Sequence, residues 1–482
     1  MSQHRIVASR ATSGLRLGLV LATALLSGCA WFSPDAGMGV VTGIAERELK
    51  ADATAIRTPD EAEAAAIAVK RLLGRTLTAD AAVRIALLNN RGLQAAYNEL
   101  AIADAQRVGE SLPPNPTISL TRIAGSAELE VDRSIVADVM ALATLPARSE
   151  IAATRFEQAQ LRAAEETLRV ANETRRAFYR AIAARELAGF LERSQSAAEA
   201  ATQFATRLGE TGAMNKLDQA REQVFYAELT AQLATARQRA ATERESLIRA
   251  MGLWGSDLDF KLPSALPALP ARPQTLAGVE VDAVRRRVDL QIARLALAAL
   301  ARSYDLTQAT RFINLLDAGY ADKFTKDKET GQRIKDRGFD VTLQIPIFDF
   351  GEVRLRQAEA NYMQAVNRLL ALAVNVRSQA RDAYRGYRST YDIAGHYQRE
   401  VLPLRKIISD ETLLRYNAML IDVFSLLVEA RQRITATIAA IDAKRDFWLA
   451  TVDLKAAVAG GGMGTKGETS TPMTDASDTG QH

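Results

Sequence analysis

Cysteine and histidine most often carry nucleophilic, acid–base or metal chemistry, and this chain has very few of them. Its 482 residues include one Cys and three His. The histidines are His4, His396 and His482, which are far apart in the sequence. A single cysteine excludes a disulfide framework and a thiolate metal cluster. We therefore predict neither a metal site nor a cofactor, which leaves Cys29 as the one candidate for covalent chemistry.

An enzyme is the first alternative to consider, and the sequence gives it little support. It contains no G-x-S-x-G, H-E-x-x-H or C-x-x-C motif and no P-loop, because the glycines of 460–464 lack the required lysine spacing. A histidine-centred mechanism would have to use His396, whose position is typical of a helix surface. We therefore predict no catalytic residues and no enzymatic activity.

The N-terminus has the pattern of an export signal. Arg5, Arg10 and Arg16 form a basic segment, and residues 17–26 are an apolar stretch too short to cross a bilayer. We therefore predict a signal peptide over 1–28. Elsewhere no segment reaches about 18 uninterrupted apolar residues, so no transmembrane helix is expected.

The residues around Cys29 resemble a bacterial lipobox. Leu26, Ser27 and Gly28 precede the chain's only cysteine. In such signals the cysteine is lipidated, for example with palmitate, and becomes the mature N-terminus. Ala30 follows where an Asp would retain the protein in the inner membrane, so we expect an outer-membrane lipoprotein. An ordinary signal peptide that contains a cysteine is the alternative.

The charge balance argues against nucleic acid as a partner. The formal net charge is +4, but residues 1–28 contribute three arginines and no acid, so the remainder carries 4 − 3 = +1. A nucleic-acid binder needs a basic face to neutralise phosphates. The hydrophobic content of 48% is that of a folded protein.

Proline and glycine positions predict long helical hairpins. No proline occurs over 147–262, where apolar residues recur at helical spacing. We predict a helix over about 148–208, roughly 90 Å long, a break at Gly209 and Gly212, and a second helix over about 217–250.

The second half of the chain repeats this plan. A helix is predicted over about 352–414, roughly 95 Å long, with a kink at Pro403. A break near Tyr416 and a helix over about 423–457 complete a second hairpin. The four prolines of a stretch at 263–275 predict an extended linker between the halves.

We interpret the two halves as an internal duplication. The predicted organisation places each half in one repeat, with strands followed by a hairpin. Its bounds are a lipidated segment over 29–76, a first repeat over 77–262 (strands about 117–145, hairpin about 148–251), a second repeat over 276–459 (strands about 311–347, hairpin about 352–457) and a disordered tail over 460–482.

Alternating residues predict the strands. The apolar set in the second half is Phe339, Val341, Leu343, Ile345 and Ile347, with polar residues between them. The set in the first half is Leu129, Val131, Ile135, Ala137, Val139 and Leu145, interrupted by Arg133. Partner strands are expected at about 117–123 and 311–320, and residues 322–338 are expected to form an exposed loop.

A strand count of four leads to a prediction about assembly. A small soluble sheet with one buried face is possible, but the rest of the chain is committed to helices that offer no such core. An outer-membrane barrel face fits the pattern. Four strands cannot close a barrel and an open edge cannot remain in lipid, so several chains must share one. Three chains would give 3 × 4 = 12 strands and 3 × 4 = 12 helices.

Several short motifs, in order, resemble the TolC-like outer-membrane efflux proteins, specifically the lipoprotein members. The resemblance covers about 77–460. It rests on Leu77-Thr78, Ala81-Ala82-Val83, Ala86-Leu87, Asn89-Asn90, the stretch Pro113 to Leu120, Arg287, Asp289-Leu290, Ala293, the stretch Pro346 to Gly351, and Leu402-Pro403. Each motif is weak alone, but their order and duplication together are specific.

The resemblance implies a mainly α fold with membrane β-strands. Three protomers would form a trimer-shared 12-strand β-barrel in the outer membrane, four strands per chain, continuous with a tunnel of long antiparallel hairpins in the periplasm. This homotrimer would dock on a periplasmic adaptor (membrane fusion) protein and an inner-membrane efflux transporter. The adaptor-contacting tips would be Gly209, Gly212, Asn215, Leu217, Asp218, Tyr416, Met419 and Val423.

The resemblance also implies a channel constriction near the second tip. Family members often close the tunnel with carboxylate rings, and Asp422 best matches that position. A second acid is often found three residues later, where this chain has Ser425. A solvated or helix-capping Asp422 is the alternative, and Arg415 is a candidate to pair with an acid across helices.

The expected function is the exit duct of a tripartite efflux pump, through which small solutes pass without chemistry. Two alternatives from related classes remain. One is the outlet of a type I protein secretion system. The other is a periplasmic adaptor lipoprotein, which would have one hairpin and a lipoyl-type β region rather than two hairpins of similar length.

Overall fold

The computed structural model describes residues 31–212, 214–275 and 277–462 and is mainly helical. The signal segment and Cys29, Leu26, Ser27 and Gly28 lie outside the described residues, as do His4, His482 and the tail from 463. The chain divides into two compact units. The sheet unit comprises the described part of Met1–Gly37, Glu99–Gln160 and Ala293–Asn367. The hairpin unit comprises Met38–Asn98, Leu161–Ile292 and the described part of Arg368–His482.

Four strands form the sheet unit's antiparallel sheet in the order β1-β2-β3-β4. They are β1 Thr117–Ala124, β2 Glu128–Asp138, β3 Leu315–Asp327 and β4 Arg333–Gln344. The central pair, β2 with β3, joins strands that are far apart in the sequence. Among the described residues, the outer edges of β1 and β4 have no strand partner.

The exposed loop predicted over 322–338 is wrong. Strand β3 continues to Asp327 and β4 begins at Arg333, so only 328–332 form the turn. The polar residues of this region still alternate between the two faces, and each backbone pairs with a neighbouring strand. Pairing rather than apolar content therefore decides strand formation here.

The helices before and within the first half are α1 to α6. Their bounds are α1 Met38–Leu49, α2 Pro59–Leu73, α3 Ala79–Asn89, α4 Arg91–Glu110, α5 Val139–Glu210 and α6 Lys216–Met251. The second half adds α7 Val279–Arg286, α8 Val288–Ala309, α9 Glu352–His396, α10 Leu402–Asn417 and α11 Val423–Ala459. A search of the described helices finds none long and apolar enough to cross a membrane.

Helix α5 begins nine residues before the predicted start. Val139 and Leu145, predicted to extend the apolar face of a strand, lie in its first turns, and Pro146 is inside the helix. The Asp138 carboxylate accepts a hydrogen bond from the Ala141 N–H at 2.7 Å, as a helix cap does. The predicted strand is therefore too long by this segment.

The kink predicted at Pro403 takes the form of a π-helical turn, Tyr397–Val401, directly before α10. The Leu402 N–H donates to the Tyr397 carbonyl, five residues back. Proline cannot donate the regular helical hydrogen bond, so the wider turn at this place accommodates it.

The end of α6 packs against the start of the first half. Gly252 caps α6 with a φ of 69°, and a Cβ there would lie 2.7 Å from the Asn89 carbonyl oxygen. The Asn89 and Asn90 side chains donate to the carbonyls of Gly252 and Ala250 at 2.6 and 3.1 Å. The Asn-Asn pair of the opening motif thus ties the base of the first hairpin.

Aromatic side chains from both hairpins form much of the hairpin unit's core. The rings of Tyr179 and Trp448 stack with centroids 5.2 Å apart. Phe447 lies 5.5 Å from Tyr387 and 5.7 Å from Tyr391. Such pairs add to the stabilisation from apolar burial alone.

The proline-rich segment 262–274, called the strap below, contains neither helix nor strand but is held through its backbone. Side chains of α5, α9 and α11 supply the contacts. Arg185 donates to the Leu262 carbonyl, Lys444 to the Leu266 carbonyl, Trp448 to the Pro267 carbonyl and Tyr391 to the Pro270 carbonyl. The Glu186 carboxylate accepts from the Leu266 N–H, and the Tyr387 hydroxyl accepts from the Gln274 N–H. The strap is therefore fixed to both hairpins.

Candidate functional site

One face of the sheet is apolar over its half nearest the helices. The register aligns Ile118, Ile135, Tyr320 and Phe339 in one row across all four strands. Val341 and Leu343 continue this face toward the end of β4, as the alternation predicted, while Ile345 and Ile347 lie just beyond that end. We call the apolar side chains of this face the apolar band.

The apolar band is exposed in the single chain. The exposed fractions are 89% for Phe339, 74% for Ile118 and 66% for Val341. A soluble sheet would cover such residues with its own helices, and no described residue does so here. Exposed apolar faces of this size indicate a lipid or protein partner.

The opposite face of the sheet is polar and acidic. It presents mostly serine, threonine and carboxylate side chains, with Lys323 as its one cation and with four larger apolar residues, Ile123, Val136, Leu315 and Ile334. The polar members are Ser119, Thr121, Glu128, Glu130, Asp132, Ser134, Asp138, Asp317, Lys323, Thr325, Asp327, Asp336, Asp340 and Thr342. One wet and one apolar face are the pattern of a strand between lipid and an aqueous lumen.

The first predicted tip is a tight turn between α5 and α6. Gly212 has a φ of 75°, which only glycine adopts without strain. Asn215 caps α6 by accepting from the Asp218 N–H at 2.9 Å. Leu217 is 60% exposed, a free apolar side chain on the first turn of α6. Gly209 lies in α5, where a Cβ would overlap the Gln219 side chain.

The second predicted tip joins α10 to α11. Tyr416 lies in the last turn of α10, and Met419 has a φ of 58° and is 92% exposed. Leu420 beside it is 74% exposed, so the turn presents two apolar side chains. Val423 is the first residue of α11.

Asp422 is the N-cap of α11. Its carboxylate accepts hydrogen bonds from the Ser425 N–H at 2.9 Å and the Ser425 hydroxyl at 2.6 Å. The hydroxyl and then the N–H of Ser425 lower the pKa of Asp422 below its ordinary value. Asp422 is therefore an exposed anion in the single chain, and Ser425 holds its orientation.

In the single chain Arg415, the candidate for pairing across helices, pairs within its own helix. Its guanidinium contacts Glu411 of the same helix at 2.9 Å. That partner is four residues away, a spacing at which helical side chains meet regardless of the neighbouring helices.

The contact that does join the hairpins near their tips lies between α6 and α11. Arg431 donates to the Arg221 carbonyl at 3.1 Å and to the Glu222 carboxylate at 3.3 Å. Its guanidinium also lies 4.4 Å from the centre of the Phe225 ring, and Arg221 lies 5.2 Å from that of Phe424. We call this group of side chains the hairpin clasp.

The Glu222 carboxylate of the clasp is buried, and its Oε2 and the Nε of Arg431 have no hydrogen-bond partner among the described residues. The Glu222 side chain is only 2% exposed, and this burial raises its pKa, whereas Arg431 opposes the rise. The sequence signal was present, because an Ala-Arg-Glu-Gln and an Ala-Arg-Gln stretch follow the two helix breaks. The repetition did not reveal that the two stretches touch.

A partly buried carboxylate, Glu165, lies nearer the other end of α5. Burial and the neighbouring Asp289 carboxylate raise the pKa of Glu165 to about 7. Arg287 opposes this rise but already binds Asp289 at 3.0 Å and Gln379 at 2.6 Å. No local pattern points to Glu165, since its partners Asp289 and Arg287 come from a segment distant in the chain.

Metal ligands and the histidine are the last candidate groups in the part of the chain that the structure describes. No group of three or more His, Cys, Asp or Glu is placed to hold a metal ion there. His396 lies on a helix surface with its ring 58% exposed and 3.1 Å from Glu400.

Comparison with solved structures identifies the fold. CusC superposes with a TM-score of 0.66 at 17% identity, over 82% of this chain and 92% of that chain. Its structures concern the conformational changes that accompany folding and transmembrane channel formation. The CmeC outer-membrane channel of Campylobacter jejuni gives 0.68 at 15% identity, over 81% and 87%. This is the TolC-like fold.

A further neighbour agrees with this assignment. The open state of the MtrE outer-membrane channel of Neisseria gonorrhoeae gives 0.63 at 17% identity, over 79% of this chain and 88% of that chain. No family model and no curated protein matches the sequence. The predicted mainly α, TolC-like fold with four strands per chain is thus confirmed, and these neighbours are channels rather than enzymes.

Proposed function

We propose that this protein is an outer-membrane efflux channel formed by three copies of the chain. The observation that carries the proposal is the four-stranded sheet with an exposed apolar band and two unpaired edges. Lipid cannot solvate open strand edges. Three sheets joined edge to edge would close a 12-strand barrel with the apolar band in lipid and the acidic face around a lumen.

The hairpins would form the tunnel that continues this barrel in the periplasm. Their tips would bind a periplasmic adaptor that links the channel to an inner-membrane efflux transporter. The exposed Leu217, Met419 and Leu420 side chains support this role, because apolar residues at turns are free to enter a partner's grooves. Lipidation of Cys29 would anchor the N-terminus in the outer membrane, and the two halves would derive from an internal duplication.

An outlet of a type I protein secretion system has the same architecture and is the second candidate. The described residues do not favour one cargo, since the tunnel helices are rich in small and polar side chains. A periplasmic adaptor is less compatible with the structure, because the chain has two long hairpins and a membrane-type sheet.

The first test is the mass and conductance of the detergent-extracted particle. We expect a particle of three chains that forms channels in planar bilayers. Leu343→Lys, two rows from Phe339 toward the middle of the apolar band, should greatly reduce insertion, because a lysine facing the bilayer midplane costs about 2–4 kcal/mol. Thr342→Lys, on the opposite face of the same strand, is the matched control and should insert. A monomeric particle that does not conduct would refute the proposal.

Adaptor docking is tested separately. Replacing Leu217 and Met419 together by Ser should weaken co-purification with the adaptor while the trimer and its conductance persist. Retained adaptor binding would exclude these tips as the docking surface. A Cys29→Ser variant that still incorporates labelled palmitate would likewise exclude the proposed anchor.

A further inference from the structure

The half of the sheet nearest the turns carries a cluster of cations on the same face as the apolar band. The register places them in three successive rows between the turns and the row of Tyr320 and Phe339. They are Arg122, Arg133, Lys326, Arg333, Lys335 and Arg337, called the basic band below. Rows two residues apart are about 7 Å apart along the strands, so the basic band is about 14 Å deep.

One acid lies among these six cations. Asp322 faces Arg337 across β3 and β4, and their charged groups are 3.3 Å apart. The other five cations form no ion pair with any described residue. The three rows therefore carry a formal charge of +6 − 1 = +5 on this face.

The opposite face of the same strand segments has the reverse charge. It carries Glu128, Glu130, Asp132, Asp327 and Asp336 against the single cation Lys323, which contacts Glu130. An ordinary solvated surface mixes both signs. Lysines that merely protect sheet edges belong on edge strands, whereas Arg133 and Lys326 lie on the inner strands β2 and β3.

The place of the basic band in the sheet suggests its partner. It lies at the strand ends joined by turns, away from the ends that continue into α5 and α9. The T-shaped pair of Tyr320 and Phe339, with centroids 5.7 Å apart, lies between the six cations and the purely apolar rows of Val341 and Leu343. The rows of the basic band also hold the apolar side chains Leu120, Leu129, Val131 and Phe324. Aromatic residues typically mark the level where lipid tails meet headgroups. Above that level, long cationic side chains can cover apolar tails with their stems and present their charges to headgroups.

We propose that the basic band binds the phosphate groups of anionic lipids in the outer leaflet. This inference rests on the proposed function, because the band meets such lipids only if the sheet enters the outer membrane. Guanidinium groups bind phosphate in a bidentate manner, and four of the six cations are arginines. In the proposed barrel the acidic face lines the lumen, so the cations of the sheet face lipid and its carboxylates face the transported solute.

The test uses the full-length trimer in detergent and three lipid probes. They are lipid A with two phosphates, the same glycolipid with both phosphates removed, and phosphatidylcholine. A variant with Arg122→Gln, Arg133→Gln, Arg333→Gln and Lys335→Gln removes four exposed cations of the band. The matched control, Arg75→Gln, Arg91→Gln, Arg239→Gln and Lys406→Gln, removes four exposed cations of the hairpin unit.

The expected result is tight, phosphate-dependent binding that only the band variant loses. Each cation near an anionic lipid surface contributes about fivefold to binding, so the quadruple variant should bind bisphosphorylated lipid A at least about tenfold more weakly. The control variant should bind as the wild type does. Equal binding of the three lipids, or equal loss in both variants, would overturn the inference.

Conductance, pyrophosphate binding and salt dependence distinguish the remaining outcomes. If the wild type inserts and conducts but shows no preference for phosphorylated lipid, this inference fails and the channel proposal stands; a wild type that neither inserts nor conducts defeats the channel proposal. If inorganic pyrophosphate binds as tightly as lipid A, the basic band is a site for free phosphate, and the lipid proposal is refuted. Should the band variant not assemble, raising NaCl from about 0.05 M to about 0.5 M must weaken wild-type binding at least about tenfold; insensitivity to salt refutes the proposal.

Discussion

Replacing Glu165 by Gln should stabilise the protein at alkaline pH and leave it unchanged at acidic pH. Burial and the Asp289 carboxylate raise the pKa of Glu165 to about 7, so the folded chain retains a proton there that the unfolded chain has lost. Stability is therefore lost as the pH rises from the ordinary value of 4.5 to about 7. Glutamine resembles the protonated acid in shape and does not titrate.

The magnitude follows from the size of the pKa shift. A rise from 4.5 to about 7 is about 2.5 units, and each unit corresponds to about 1.36 kcal/mol. Above about pH 7 the ionised Glu165 thus costs roughly 3 kcal/mol of unfolding free energy. The attraction of Arg287 is already included, because it is one of the influences on the pKa.

The assay is urea unfolding of the detergent-solubilised protein, followed by far-UV circular dichroism at about pH 5 and about pH 8. The variant should exceed the wild type by roughly 3 kcal/mol at the higher pH and match it at the lower one. Glu173→Gln is the control, since Glu173 is bound to Arg169 at 2.7 Å and is not among the groups that raise the pKa of Glu165. Equal effects of Glu165→Gln at both pH values would refute the reasoning.

Three further predictions concern the clasp, a backbone constraint and the second tip. Arg431→Ala should destabilise the folded chain by roughly 2 kcal/mol, because it leaves the buried Glu222 carboxylate unpaired; a double-mutant cycle with Glu222→Gln measures the coupling, and additive effects would contradict it. Gly351→Ala should cost at least about 2 kcal/mol in thermal or urea unfolding, since φ is 75° and the added Cβ overlaps a backbone carbonyl; Gly338→Ala, where the Cβ meets open space, should be tolerated. Asp422→Asn keeps a helix cap but removes the charge, so it should raise single-channel conductance or lower cation selectivity in planar bilayers; unchanged behaviour would remove Asp422 from the constriction.

Local patterns predicted much of the fold because they report local physics. The alternation of Phe339, Val341 and Leu343 identified a strand with one apolar face, and the second helix predicted over about 217–250 matches α6, Lys216–Met251. The strand segments over 322–338 escaped prediction, because five of the six side chains on the face of Tyr320 and Phe339 are charged there and only Phe324 is apolar. Without apolar alternation, a strand cannot be told from a polar loop by its sequence.

Short signals were also present in the segment before the first repeat and could have been used. Thr58 caps α2 and forms a capping box with Glu61, and Pro59 occupies the first helical position. These residues are the standard start of a helix, yet the sequence interpretation assigned only a lipidated segment over 29–76.

Contacts between distant helices could not be predicted from one sequence. Arg431 and Glu222 are separated by 209 residues, and neither propensity nor periodicity specifies which faces of two helices meet. The same holds for Glu165 and Asp289. Candidate turns were therefore located from the sequence, whereas the buried charges that connect the helices were not.

The way the strap is held has a consequence for how its sequence can vary. Strap carbonyl oxygens, which every amino acid possesses, accept hydrogen bonds from Lys444, Trp448 and Tyr391. Most strap side chains can therefore change at little cost, whereas these hydrogen-bond donors on the helices must be retained. For the same reason, a protease cut within the strap should leave two fragments that remain bound as one particle.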